Sequence, residues 1–157
     1  MKAAVIYQRG EMPQYVDFPE PNVHDNDELL ISAKAAAIKH LNISRATGKH
    51  YSSRNDPSQV KVIGGDGVGL LEDGTQGYAI GVSGMIAEKA VIEKSRMVPL
   101  PVGIDNVTAA ALPDAVIGSA MGIRFRAGMK QGETVLINGA TGFTGKIAVQ
   151  IAKHHTQ

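Results

Sequence analysis

Apolar and polar positions alternate with short period through the first hundred residues. "KAAVIY" (2–7) reads as a strand, "GEMP" (10–13) as a turn and "QYVDF" (14–18) as a second strand, which together predict a hairpin. A polar, Pro-bearing loop, "PEPNVHDND", covers 19–27. Over 28–36, Leu29, Ile31, Ala33 and Ala35 fall on one face and Leu30, Ser32 and Lys34 on the other, a strand pattern, although the Ala run also admits a helix. "HLNISRATG" (40–48) predicts a short helix ended by Gly48, where left-handed backbone is easy to reach. A loop at 52–59 precedes strands near 60–71, 77–81 and 85–93, and "VPLPVG" (98–103) reads as an extended crossing.

The pattern changes after residue 104. Asp105 or Asn106 caps an Ala-rich helix that stops before Pro113. A second helix carries Asp114 in its first turn and runs to about Ala127, with Gly128 just past its end. "TVLIN" (134–138) is a near-continuous apolar run, the pattern of a strand buried on both faces. From Phe143 onward Ile147, Ala148, Ile151 and Ala152 share a helical face, with Lys146, Gln150, Lys153 and His154 opposite. Eight glycines between 62 and 84 point to short strands bent around a small barrel. The expected fold is therefore mixed β and α/β: a β-barrel, then one strand–helix unit of an α/β domain.

Composition narrows the classes without naming one. At 157 residues and 43% hydrophobic the chain can bury a core unaided. A net charge of +1, with no long run of either sign, argues against nucleic acid or an anionic membrane as main partner. Cysteine is absent, which excludes disulfides, a thiolate nucleophile and a Cys-ligated zinc. The N-terminal apolar run is short for a signal peptide and no stretch approaches a membrane span, so the expected location is cytoplasmic.

The chemistry-bearing stretch is "NGATGFTGK", between the apolar run and the last helix. Gly139, Gly142 and Gly145 have the spacing of a dinucleotide loop: one glycine for the tight turn, one for close approach of backbone to a pyrophosphate, one for helix–strand packing. The helix N-terminus would offer free amides to the phosphates, and Thr141 and Thr144 two hydroxyls. The expected cofactor-binding residues are Gly139, Ala140, Thr141, Gly142, Phe143, Thr144 and Gly145. A nucleotide-hydrolysing P-loop is excluded, because Ala140 and Ile147 stand where it needs Gly and Ser or Thr. A glycine-rich turn that binds nothing is the rival reading.

The order of elements, with "MKAAVI", "GGDGVG", "AALPD" and "KQGETVLINGATG", resembles the medium-chain dehydrogenase/reductase superfamily, in its zinc-independent, quinone-oxidoreductase-like branch. The resemblance implies a GroES-like catalytic domain (1–113) followed by a linking helix and the start of a Rossmann domain (114–157). It implies reduction of a quinone, enone or related carbonyl by NADPH, with NADH not excluded. Zinc-dependent members carry a catalytic Cys in a Cys-x-x-Asp-like context and a His in Gly-His-Glu-Gly. The matching positions here hold Lys39 and Asn42, then Gly65 and Asp66. Lys39 is a poor ligand and Gly65 offers no side chain, so no metal is expected; His40 and His50 do not by themselves make a site.

Without a Lewis acid the substrate must accept hydride readily, which quinones and conjugated enones do. Lys39 is the candidate to stabilise the developing oxygen charge or to donate a proton. Its rival reading is a lysine whose stem packs on the barrel while its ammonium reaches water. Tyr51, in "GKHYSS", matches a segment where related oxidoreductases place an active-site tyrosine, and His40 would line the same cleft. Tyr78 is expected to pack in the barrel, and Asp66 and Arg45 to pair without chemistry. A complete dinucleotide domain needs about six parallel strands, and its NAD/NADP-selecting residue lies roughly 20 residues past the glycines. Two readings follow: part of a reductase acting on a small-molecule substrate, or a non-catalytic GroES-like binding module whose apolar strand a second copy could cover.

Overall fold

The computed structural model describes residues 1–8, 10–53 and 60–155, in two compact units, Met1–Ala111 and Leu112–Gln157. The predicted loop at 52–59 therefore lies largely outside the described residues.

In the first unit β1 (Lys2–Ile6) pairs antiparallel with β2 (Gln14–Asp17), as the hairpin pattern predicts, and with the short β4 (Lys61–Val62). The strands β3 (Glu28–Ala35), β5 (Asp66–Leu70), β6 (Gln76–Gly81) and β7 (Lys89–Pro99) close a small barrel in which every pairing is antiparallel. The single strand expected near 60–71 is thus two strands in different sheets, broken at Gly64 (φ +99°). The strand expected over 85–93 begins later and runs into the proposed crossing.

Side-chain size explains how so small a barrel closes. Ile31, Ala79, Met85, Ala90 and Ile92 fill its interior, with Leu29 and Met97 against them. On β5 and β6 the positions alternate glycine or alanine with larger residues, and the small ones face inward. A Cβ on Gly69 would stand 2.4 Å from Ile31 Cδ1. The larger residues of both strands therefore face out of the barrel. There Val68 packs with Ala109 and Ala110 of the helix α2 (Asn106–Ala111), flanked by Ala35, Tyr78 and Leu100. Asp105 caps α2 by accepting the Thr108 N–H at 2.9 Å.

In the second unit α3 (Pro113–Ala120) continues into a π-helical turn, Met121–Arg126, where Ala127 N–H donates five residues back to Gly122 O at 2.9 Å. Gly128 (φ +60°) follows its end as expected. The last helix, α4 (Phe143–His155), buries Ala148 and Ala152 against Ile123 and Met129, with Ile137 and Ile151 beside them. One expectation fails here. Residues 134–138 form no ladder, and Leu136 is 95% exposed. An apolar run becomes a strand only when a neighbouring strand takes its N–H and C=O groups, and the described residues place none beside it.

Candidate functional site

The first cluster is built on the outer face of the barrel. Antiparallel register sets Asp66 opposite Ile80 and Val68 opposite Tyr78, so Asp66 and Tyr78 are diagonal neighbours on one face. A register shift in β3 between Ala33 and Ala35 turns the strand's end, and Ala35 pairs with Val68 on that face. The chain then reaches Lys39, the residue before α1 (His40–Ala46). The Lys39 backbone N–H donates to Asn42 Oδ1 at 3.0 Å, which secures the helix entry.

The three side chains meet at one oxygen. Lys39 Nζ forms an ion pair with Asp66 Oδ2, and the Tyr78 hydroxyl donates to that same oxygen. Lys39 Nζ also stands 5.8 Å from the centre of the Tyr78 ring. The Lys39 and Asp66 side chains are each 13% exposed, so this is not an ammonium waving in water, as the rival reading had it. Asp66 takes Lys39 as partner in place of the expected Arg45. The Arg45 guanidinium instead lies over Gly65, 3.7 Å from where a Cβ would be. Tyr78 packs on the barrel's outer wall, not inside it.

The other expected cleft residues lie apart from this cluster in their contacts. His40 is exposed at the start of α1. Tyr51 opens a 3-10 turn, Tyr51–Ser53, is 77% exposed, and its ring meets that of His50 at 4.3 Å between centres. Asn42, Arg45 and Gly65 also line a cavity of about 770 Å³ whose apolar wall includes Phe18, Val62 and Ile80.

The glycine loop is the second cluster. Gly139 has φ +72°, the left-handed turn that its predicted role requires. At Gly145 a Cβ would lie 2.2 Å from Gly139 O and 2.8 Å from Ala140 Cα, so only glycine lets the first turn of α4 sit against the loop. Gly142 differs, because its Cβ would meet only Gly139 O, at 3.4 Å. The fold itself does not demand glycine there. The amides of Phe143, Thr144 and Gly145 lie in the first turn, ahead of the bond from Lys146 N–H to Gly142 O at 2.9 Å. The loop thus fits a diphosphate in turn geometry, helix approach and amide supply. Buried Ser119 of α3 ties down this turn by donating to Thr144 O at 3.1 Å.

A metal fits neither cluster. The ammonium of Lys39 is taken by a carboxylate, Gly65 has no donor, and among the described residues no three His, Asp or Glu side chains converge. Sequence reading missed the part played by Tyr78. The signal was present in the paired patterns "DGVGL" and "QGYAIG" around the "LEDGT" connection, which fix the hairpin register.

No family model matches the chain. It is 27% identical to a rat quinone oxidoreductase over 99% of this chain and 50% of that protein. It is 29% identical to a chloroplastic NADPH-dependent alkenal/one oxidoreductase of Arabidopsis thaliana over 82% of this chain and 37% of that one. The quinone oxidoreductase of Thermus thermophilus, solved also with NADPH, superposes with a TM-score of 0.86 at 29% identity, covering 99% of this chain and 51% of the other. The chain therefore spans about half or less of these proteins. It is similar in sequence and fold to these reductases, and its fold is that of their first half, a GroES-like barrel followed by the opening of a Rossmann domain. No helix among the described residues is long and apolar enough to cross a membrane.

Proposed function

We propose that this chain supplies the substrate-side barrel and the pyrophosphate loop of a metal-free reductase that transfers hydride from NADPH to a quinone, enone or related carbonyl. The observation that carries the reading is the loop at 139–145. Left-handed Gly139 and Gly145 packed under Gly139 O build the turn, and glycine at 142, which the fold itself does not require, is what a diphosphate needs and a plain turn does not. Gly139 to Gly145 hold the diphosphate through backbone amides, with the Thr141 and Thr144 hydroxyls beside them. The dinucleotide, when bound, supplies the hydride.

Lys39 supplies positive charge for the oxygen that gains electron density, at the position where zinc enzymes of the superfamily place a metal ligand. Tyr51, exposed and stacked on His50, offers a ring and a hydroxyl to a planar substrate, and we assign His40, exposed at the start of α1, to the substrate side as well. The compartment that goes with this reading is the cytoplasm, and a homo-oligomer is compatible with it. The rival, a non-catalytic binding module, draws on one observation, the unladdered 134–138 segment.

The test is reduction of a naphthoquinone and of a simple enone, with NADPH and with NADH, by the full-length enzyme and by its Lys39→Met variant. Loss of one charge donor to a developing oxyanion is expected to lower kcat about 100-fold. Unchanged turnover removes Lys39 from the chemistry, and no turnover by the parent with either cofactor removes the reading. By itself the 157-residue chain is expected to bind NADPH weakly, because the loop contacts only the diphosphate; micromolar affinity by calorimetry would contradict that account.

A further inference from the structure

The Lys39 ammonium lies against two side chains from a different part of the chain, Asp66 and Tyr78, and it meets the Tyr78 hydroxyl at one oxygen of the Asp66 carboxylate. We propose that Asp66 and Tyr78 are positioning residues that fix the Lys39 ammonium in place, so that a protein-borne cation does the work a bound cation does elsewhere. The proposal rests on the reading of Lys39 given above for its catalytic meaning, but its geometry stands without it.

A lysine has four rotatable bonds and, left alone, spreads its charge over a wide volume. Here Asp66 Oδ2 accepts from Nζ, which sets one direction. The Tyr78 ring, 5.8 Å from Nζ, bounds a second side and attracts the cation through its face. Tyr78 in turn cannot swing away, because it packs with the Val68, Ala109 and Ala110 cluster and its hydroxyl is spent on Asp66. Asp66 is held by the β5–β6 ladder and by the hydroxyl at the same oxygen. Each member thus restrains the other two, and the barrel strands restrain all three. The same arrangement makes the carboxylate, at the position where zinc enzymes of the superfamily carry a glutamate, a holder of positive charge without a metal.

The test needs no cofactor and no turnover, so its failure is distinct from failure of the proposed reaction. Lysines are acetylated with limiting activated acetate in the folded chain, and the rate at each site is read by mass spectrometry with exposed Lys34 as internal standard. In the parent, Lys39 is expected to react about tenfold more slowly than Lys34, the protection given by a charge-assisted bond in a half-buried site. Asp66→Asn should bring the Lys39 rate to within about twofold of Lys34, Tyr78→Phe should give about a threefold gain, and Asp66→Glu should restore protection in part. The Lys89 rate and the thermal midpoint report on general loosening, which would raise all sites together. If Asp66→Asn does not fold, Tyr78→Phe alone decides. Lys39 reacting as fast as Lys34 in the parent, or a Lys39 rate unmoved in folded Asp66→Asn and Tyr78→Phe, overturns the proposal. In the active full-length enzyme the same two variants should lower kcat and leave KM for NADPH unchanged.

Discussion

Replacing Gly145 with alanine is the sharpest probe of the loop, because two opposed effects are both readable from the structure. Gly145 lies in the first turn of α4, where alanine is better than glycine by about 1 kcal/mol in helix propensity. Against that, the new Cβ would stand 2.2 Å from Gly139 O and 2.8 Å from Ala140 Cα. Carbon and oxygen in close contact keep about 3.3 Å, so the loop must retreat by roughly 1 Å. The obstructing atoms are backbone and cannot rotate away, which puts the cost near the top of the overpacking range, about 3 kcal/mol. The net expectation is destabilisation of the loop–helix contact by about 2 kcal/mol, or about 30-fold in its opening equilibrium. Amide hydrogen exchange across α4, resolved by residue, measures that opening. Gly142→Ala is the control, since its Cβ meets only Gly139 O at 3.4 Å and the expected change is below about 1 kcal/mol. Exchange in Gly145→Ala no faster than in the parent would refute the packing argument and, with it, the reason for glycine at that position.

Three further outcomes are expected. Ile31→Ala, at the centre of the barrel interior, should cost about 2–5 kcal/mol by urea denaturation followed by circular dichroism, whereas Val102→Ala on the surface should change the midpoint little. The Thr108 N–H holds the Asp105 carboxyl below its ordinary value of 3.8, so the cap's contribution is complete above that value and is lost as pH falls through the lower folded one. The thermal midpoint of Asp105→Ala should therefore lie below the parent's at neutral pH and converge with it in strong acid. Ser119→Ala removes the donor to Thr144 O and should speed exchange in the first turn of α4 by about fivefold, equivalent to about 1 kcal/mol, while the barrel melts as before.

Much of this was legible in the residues. The β1–β2 hairpin, β3, α1 with Gly48 past its end, and α4 with Ala148 and Ala152 inward all follow local pattern, because their apolar period is set by neighbours in sequence. The turn at Gly139 and the close packing of Gly145 were legible for the same reason: both act within the few residues that lead into α4.

What only the tertiary structure decided is pairing between distant segments. Lys39 and Asp66 stand 27 residues apart, and their meeting depends on the β3–β5 register and the bulge that turns Ala35 outward. Tyr78 joins them only because the β5–β6 hairpin places it diagonal to Asp66. The same dependence undoes the strand expected over 134–138: its apolar residues record a preference, but a ladder needs a second backbone, and no local pattern can state whether one is there. Side-chain periodicity is a property of a segment, whereas hydrogen-bond and ion-pair partners are properties of the packed chain.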